Sequence, residues 1–211
     1  MPTGVILAGG FSTRFEGGDK ALADLAGQTM VRRVADSVAP SISTLVLNCR
    51  AEQRGALGDA LDGYPHEVRF AVDPEPDAGP MAGIRTGLRA VPDEYALVVA
   101  CDMPFVDGSF VQHLFDRAAG HDAAVPEVDG WYQTTQAVYR AAAMADACDR
   151  ALERGDSKIL APLEELDWVV VDHETLDEAG WLGTFENVNT RGELREAAAR
   201  LGESTDPRRD E

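Results

Sequence analysis

The sequence predicts an α/β fold: three layers, with a mainly parallel sheet flanked by helices. Two observations carry this prediction. Short apolar runs that can be buried on both faces alternate with helix-like segments through the first 120 residues, which is the rhythm of βαβ units. Several of those runs also stop abruptly at Gly, Asn or Asp, residue types suited to the ligand-facing loops at strand ends.

In chain order, residues 3–8 are expected to form a strand, with Val5-Ile6-Leu7-Ala8 as its buried run. Gly9-Gly10 ends it, and a loop with Arg14 and Lys20 leads to a helix over 28–39. TLVLN at 44–48 reads as a strand, 51–61 as a helix, and VRFAV at 68–72 as a strand. A helix over 80–91 opens with Pro80 at a first-turn position. YALVVA at 95–100 suits a strand buried on both faces, followed by a helix over 108–119. After residue 120 the rhythm changes. Strands are expected at 123–126 and 132–139, a helix at 140–154, a strand at 168–171 and a closing helix at 191–201. No repeat or linker interrupts residues 1–202, which are expected to form a single domain, and the polar tail 203–211, ESTDPRRDE, is expected to be disordered.

Composition narrows the function. Asp and Glu number 37 against 19 Lys and Arg, a net charge of −18, which argues against a basic nucleic-acid-binding face. There is neither a charged leader with an apolar run nor a stretch long enough to span a bilayer. A soluble, cytoplasmic protein with no membrane partner is expected. Cys49, Cys101 and Cys148 are far apart and form no CxxC pair, so they read as free, mostly buried thiols. Only two lysines occur, Lys20 and Lys158. An acidic, lysine-poor surface resembles that of proteins from salt-accumulating cells, a halophilic trait, because high ionic strength screens self-repulsion. The alternative is codon bias in a GC-rich genome, which replaces Lys by Arg but does not account for the excess of acid.

Ligands of open α/β sheets sit beyond the carboxyl ends of the strands, here in the loops after residues 8, 48, 72 and 101. Those loops hold Gly9, Gly10, Asn48, Asp73 and Asp102. Glycines let backbone N–H groups approach a phosphate, and Arg14 and Lys20 supply cations that can reach its oxygens. The first loop therefore reads as a cradle for a nucleotide polyphosphate. It is not a P-loop, since Ala21 follows Lys20, nor a dinucleotide fingerprint, since Phe11 follows Gly10. A surface loop with incidental charges is the plainer alternative. Asp102, directly after a buried strand, can hold Mg²⁺ or merely cap the next turn. Gly83 and Gly87 are too many for an ordinary helix, and suggest close approach of backbone or ligand, or tight packing.

Taken together and in this order, LAGGFSTRF…DKAL, DAGPMAGI, ACDMPF and FENVNT resemble the molybdenum cofactor guanylyltransferases, nucleotidyltransferases with a Rossmann-like, glycosyltransferase-A-like fold. The resemblance runs from residue 4 to about 200. The first and third motifs are shared by many nucleotidyltransferases, whereas GPxAGI with FxNxNT is more specific. The resemblance implies a Mg²⁺-dependent enzyme that transfers GMP from GTP to the terminal phosphate of Mo-molybdopterin, with molybdoenzyme apoproteins or chaperones as further partners. It implies that Leu7, Ala8, Gly9 and Gly10 lie against the nucleotide and that Lys20, with Arg14, neutralises its phosphates. Asn48 and Asp73 would contact guanosine, and Asp102 would bind metal and nucleotide. Gly79, Gly83, Asn187, Asn189, Gln136 and Lys158 would lie toward the acceptor. Glu16 departs from the family pattern, which has Gly there; beside a triphosphate it must point outward or pair with Arg14. His66, His113, His121 and His173 fall in no motif and read as surface or structural residues. The rivals are a molybdopterin cytidylyltransferase, a guanylyltransferase for a cobamide precursor or phospholactate, and a nonenzymatic nucleotide or pterin carrier.

Overall fold

The computed structural model describes residues 2–10, 15, 18–75, 78–156 and 158–204. Arg14, Glu16 and the tail from 205 onward lie outside them. The strands are β1 (Thr3–Leu7), β2 (Asp24–Leu25), β3 (Gln28–Thr29), β4 (Thr44–Cys49), β5 (Glu67–Val72), β6 (Tyr95–Ala100), β7 (Ala123–Val128), β8 (Trp131–Tyr132), β9 (Gln136–Arg140) and β10 (Trp168–Val171). The α-helices are α1 (Met30–Val38), α2 (Arg54–Ala60), α3 (Pro80–Arg89), α4 (Gly108–Ala118), α5 (Ala141–Glu153), α6 (His173–Glu178) and α7 (Arg191–Ser204).

The main sheet runs β10-β7-β9-β6-β1-β4-β5, with β8 paired to β7. Every neighbour along it is parallel except β9, which is antiparallel to both β6 and β7. The connection from β7 to β9 is too short for a crossover, so β9 must return antiparallel. Successive strand residues face opposite ways, and this builds two cores. Ile6, Leu47, Leu97 and Val99 pack under α1, α2 and α4, against Val34, Leu57 and Phe110. Val5, Val46 and Val98 pack under α3 and α5, against Ile84, Leu88 and Met144. The three layers expected from the sequence are thus present. Among the described residues no helix is long and apolar enough to cross a membrane.

Three elements differ from expectation. The strand expected over 132–139 is broken. Gln133 N–H donates to Pro126 O at 2.8 Å and Gln136 N–H to Gln133 O at 3.1 Å, so a turn separates β8 from β9. Helix α6 was not expected; the Asp172 side chain caps it by accepting from Thr175 N–H. The closing helix continues to Ser204, into the segment expected to be tail. Gly87 is resolved in favour of packing: a Cβ there would lie 2.5 Å from Val5 Cγ1, so the glycine lets α3 lie directly on β1.

Candidate active site

A cleft of about 330 Å³ opens at the carboxyl ends of the central strands. Leu7, Ala8, Gly9 and Gly10 line it where β1 ends. The strand order puts Asn48 and Asp73, at the ends of β4 and β5, on one flank of β1. Asp102, just past β6, lies on the other, together with Lys20. Gly79 and Gly83 of the α3 entry also line the cleft. Gly79 has φ +86°, a conformation that favours glycine, and Pro80 follows at the first helical position.

On the Asp73 flank, Asn48 is buried at 2 % exposure. Its Nδ2 donates to Ala71 O at 3.2 Å and to Asp73 Oδ1 at 2.7 Å. The amide thus fixes the Asp73 carboxylate beneath the glycine loop. A Cβ at Gly9 would lie 2.5 Å from Asp73 Oδ2, and one at Gly83 would lie 2.9 Å from Asn48 Oδ1. Two glycines are therefore required for this amide and carboxylate to sit where they do.

On the other flank, Lys20 heads a short 3-10 turn capped by the Asp19 side chain, which accepts from Ala21 N–H at 3.0 Å. Lys20 Nζ donates to Asp102 Oδ2 at 2.6 Å and to Asn189 Oδ1 at 3.0 Å. The segment carrying Asn189 is anchored to the same place, since Val188 N–H donates to Asp102 O at 2.8 Å. Thr190 and Glu193 then start α7: Glu193 Oε2 accepts from Asn189 N–H at 2.6 Å and Thr190 N–H at 3.1 Å, while Glu193 N–H donates to Thr190 Oγ1. This is a capping box, and it steadies the residue that holds Lys20.

Asp102 Oδ1 is buried and has no hydrogen-bond donor among the described residues. Among the described residues no three His, Cys, Asp or Glu side chains converge as a metal cage. One carboxylate with a donor-free oxygen does not suit zinc, but it fits Mg²⁺, which takes few carboxylates and completes its shell with phosphate oxygens and water. Cys101 also lines the cleft, but burial pushes its thiol up to about 12. It stays protonated at neutral pH and is no nucleophile. None of the four histidines lines the cleft.

Four acceptor-side expectations fare differently. Asn189 is brought to Lys20, as above. Asn187 is exposed, and its Nδ2 donates to Phe185 O. Gln136 does not face the cleft: it is fully buried, with Nε2 donating to Thr184 Oγ1 at 2.8 Å. As the first residue of β9, it points into the layer beneath α4 together with Val138. Lys158 is an exposed residue outside the cleft lining. Sequence reasoning missed Glu75 and Thr135, which do line the cleft. It also missed Asp19, Arg50 and Gln53, which hold the glycine loop from behind.

The chain is similar to known proteins along nearly its whole length. The model of the MobA-like NTP transferase domain matches residues 4–168. A probable molybdenum cofactor guanylyltransferase of Natronomonas pharaonis is 47 % identical over 199 residues, covering 94 % of this chain and 98 % of the relative. Another, of Haloferax mediterranei, is 40 % identical and covers 93 % of each chain. The crystal structure of molybdopterin-guanine dinucleotide biosynthesis protein A from Archaeoglobus fulgidus superposes with a TM-score of 0.77 at 30 % identity, covering 95 % of this chain and 99 % of that one.

Proposed function

The chain belongs to the MobA-like NTP transferase family, and from that premise we propose that it is a molybdenum cofactor guanylyltransferase, transferring GMP from GTP to the terminal phosphate of Mo-molybdopterin. The observation that carries the reading is the meeting of Lys20, Asp102 and Asn189 beside the glycine loop. It brings a cation, a carboxylate and backbone donors to one end of a cleft large enough for part of a nucleotide. The near-full-length relatives supply the choice of base and acceptor.

The acceptor phosphate is ionised at neutral pH, so the reaction needs no general base, and the lack of histidine in the cleft is in keeping with that. An acceptor phosphate oxygen forms a bond to the α-phosphorus of GTP as the bond to the departing pyrophosphate breaks. Positioning and charge neutralisation do the catalysis. Lys20 neutralises the phosphates, with Arg14 as its expected partner, and the Gly9 and Gly10 N–H groups add neutral donors. Leu7 and Ala8 lie against the nucleotide. Asp73, oriented by Asn48, accepts from the N1–H and 2-amino groups of guanine. Asp102 Oδ1 would hold Mg²⁺ together with phosphate oxygens, and the bound ion would offset the charge of two anionic reactants. Gly79 and Asn189 are assigned to the acceptor side, whereas Gly83, where a Cβ would lie 2.9 Å from Asn48 Oδ1, goes with the base side instead.

The test mixes the protein with Mo-molybdopterin and, in turn, GTP, CTP and ATP, and reads pyrophosphate and dinucleotide product. GTP alone should support both. Product from CTP would replace the reading with the cytidylyl rival. Nucleotide binding without pyrophosphate release would mark a carrier.

A further inference from the structure

Three successive carbonyls at the end of β1 are held by one short turn. Arg50 Nη1 donates to Gly9 O at 2.8 Å and Gly10 O at 2.7 Å, and Gln53 Nε2 donates to Ala8 O at 2.9 Å. Both side chains are built in, at 9 % and 4 % exposure. Gln53 Oε1 accepts from Arg50 N–H at 2.8 Å, Glu52 accepts from Arg50 Nε at 2.7 Å, and Asp19 accepts from Gln53 Nε2. Burying a guanidinium is costly, and this one is aimed at main-chain oxygens. Arg50 does not line the cleft; Gly9 and Gly10 do.

In a planar trans peptide the carbonyl and the following N–H point in opposite directions. Tying the Ala8 and Gly9 carbonyls to the 50–53 turn therefore turns the Gly9 and Gly10 N–H groups away from it. Neither N–H has an acceptor among the described residues. Backbone donors left open beside a cleft call for a partner.

We infer that Arg50 is a positioning residue: with Gln53 it presets the Gly9 and Gly10 N–H groups as a phosphate-binding pair, without itself touching the nucleotide. The inference rests on reading the cleft as a nucleotide site. Donors fixed in advance need no reordering when the anion arrives, which is where preorganisation adds affinity. Nη1 reaches both carbonyls while Nε is held by Glu52, so two nitrogens fix the plane and place of the guanidinium, which the single nitrogen of an ammonium does not reproduce.

Calorimetric titration of wild type, Arg50→Met and Arg50→Lys with GTP, CTP, inorganic tripolyphosphate and guanosine tests this. Both variants should lose at least about ten-fold in affinity for GTP and tripolyphosphate while guanosine binding stays unchanged. Wild-type phosphate affinity in Arg50→Lys would show that charge alone suffices and would overturn the inference. So would a parallel loss of guanosine binding, the mark of general damage to the cleft. If Arg50→Met does not fold, Arg50→Lys carries the same comparison. A wild type that binds tripolyphosphate but prefers CTP would defeat the guanylyl reading, and the tripolyphosphate titrations would still decide the role of Arg50.

Discussion

The sequence placed Asp102 and Lys20 in loops that line the cleft, each for a reason visible in the residues themselves. One is a carboxylate directly after a doubly buried strand; the other is one of only two lysines. The structure adds that they meet, with Oδ2 occupied and Oδ1 buried without a donor among the described residues. Asp102→Asn keeps the shape and removes the charge. Turnover should fall about 10²-fold or more, because metal charge stabilisation is worth several kcal/mol; near-normal turnover at saturating Mg²⁺ would move the metal elsewhere. Arg50 and Gln53 were not legible in the same way. They act on main-chain carbonyls, and no spacing of residue types announces that. Asn48 was placed at the cleft from its position, but its bond to Asp73 shows only in three dimensions. Gln136 misled because a polar residue at a strand start can as easily face inward.

At the scale of elements, strands with long apolar runs declared themselves, YALVVA with the same limits as β6. The break between β8 and β9 did not, because the residues at 133–135 lack Gly or Pro to mark a turn. Helix α6 was hidden for a related reason: six residues are too few to show a 3.6-residue period. Gly87 offers a clean test of how α3 is seated. On an exposed helix Gly→Ala stabilises by about 0.5–1 kcal/mol. Here the added methyl would meet Val5 Cγ1 at 2.5 Å, in a closed core. Gly87→Ala should instead destabilise by about 1–3 kcal/mol, as overpacking does, with little change in nucleotide affinity because Gly87 is not in the cleft lining. Urea melts of the variant check this, and a stabilised variant would show that α3 stands off the sheet.

Over the whole molecule, two consequences of charge and burial can be measured. A net charge of −18 repels itself most at low ionic strength, where the Debye length is about 30 Å at 0.01 M against about 3 Å at 1 M. If the acidity is an adaptation to salt, the melting temperature should rise markedly between dilute buffer and molar KCl; a constant value would leave codon bias as the explanation. The second consequence is alkaline. Burial raises the Cys49 thiol to about 11 and those of Cys101 and Cys148 to about 12, from an ordinary 9.0. Above pH 9 the unfolded chain releases thiol protons that the folded chain keeps, so ν_U is less than ν_N and stability falls with rising pH. The loss should run from pH 9 to about 12, after a range below 9 in which the thiols have no effect. Stability constant from pH 8 to 11 would mean that the thiols are not buried as described.

The central claim is that β1 divides the cleft into a phosphate side at Lys20 and a base side at Asp73. Competition among GTP, ATP and CTP on wild type, Lys20→Ala and Asp73→Ala tests it most directly. Lys20→Ala should weaken every nucleotide alike and keep the preference for GTP, whereas Asp73→Ala should narrow that preference, since a site built around guanine N–H donors discriminates through them. A Lys20→Ala protein with altered base preference, or an Asp73→Ala protein with its preference for GTP intact, would contradict the division.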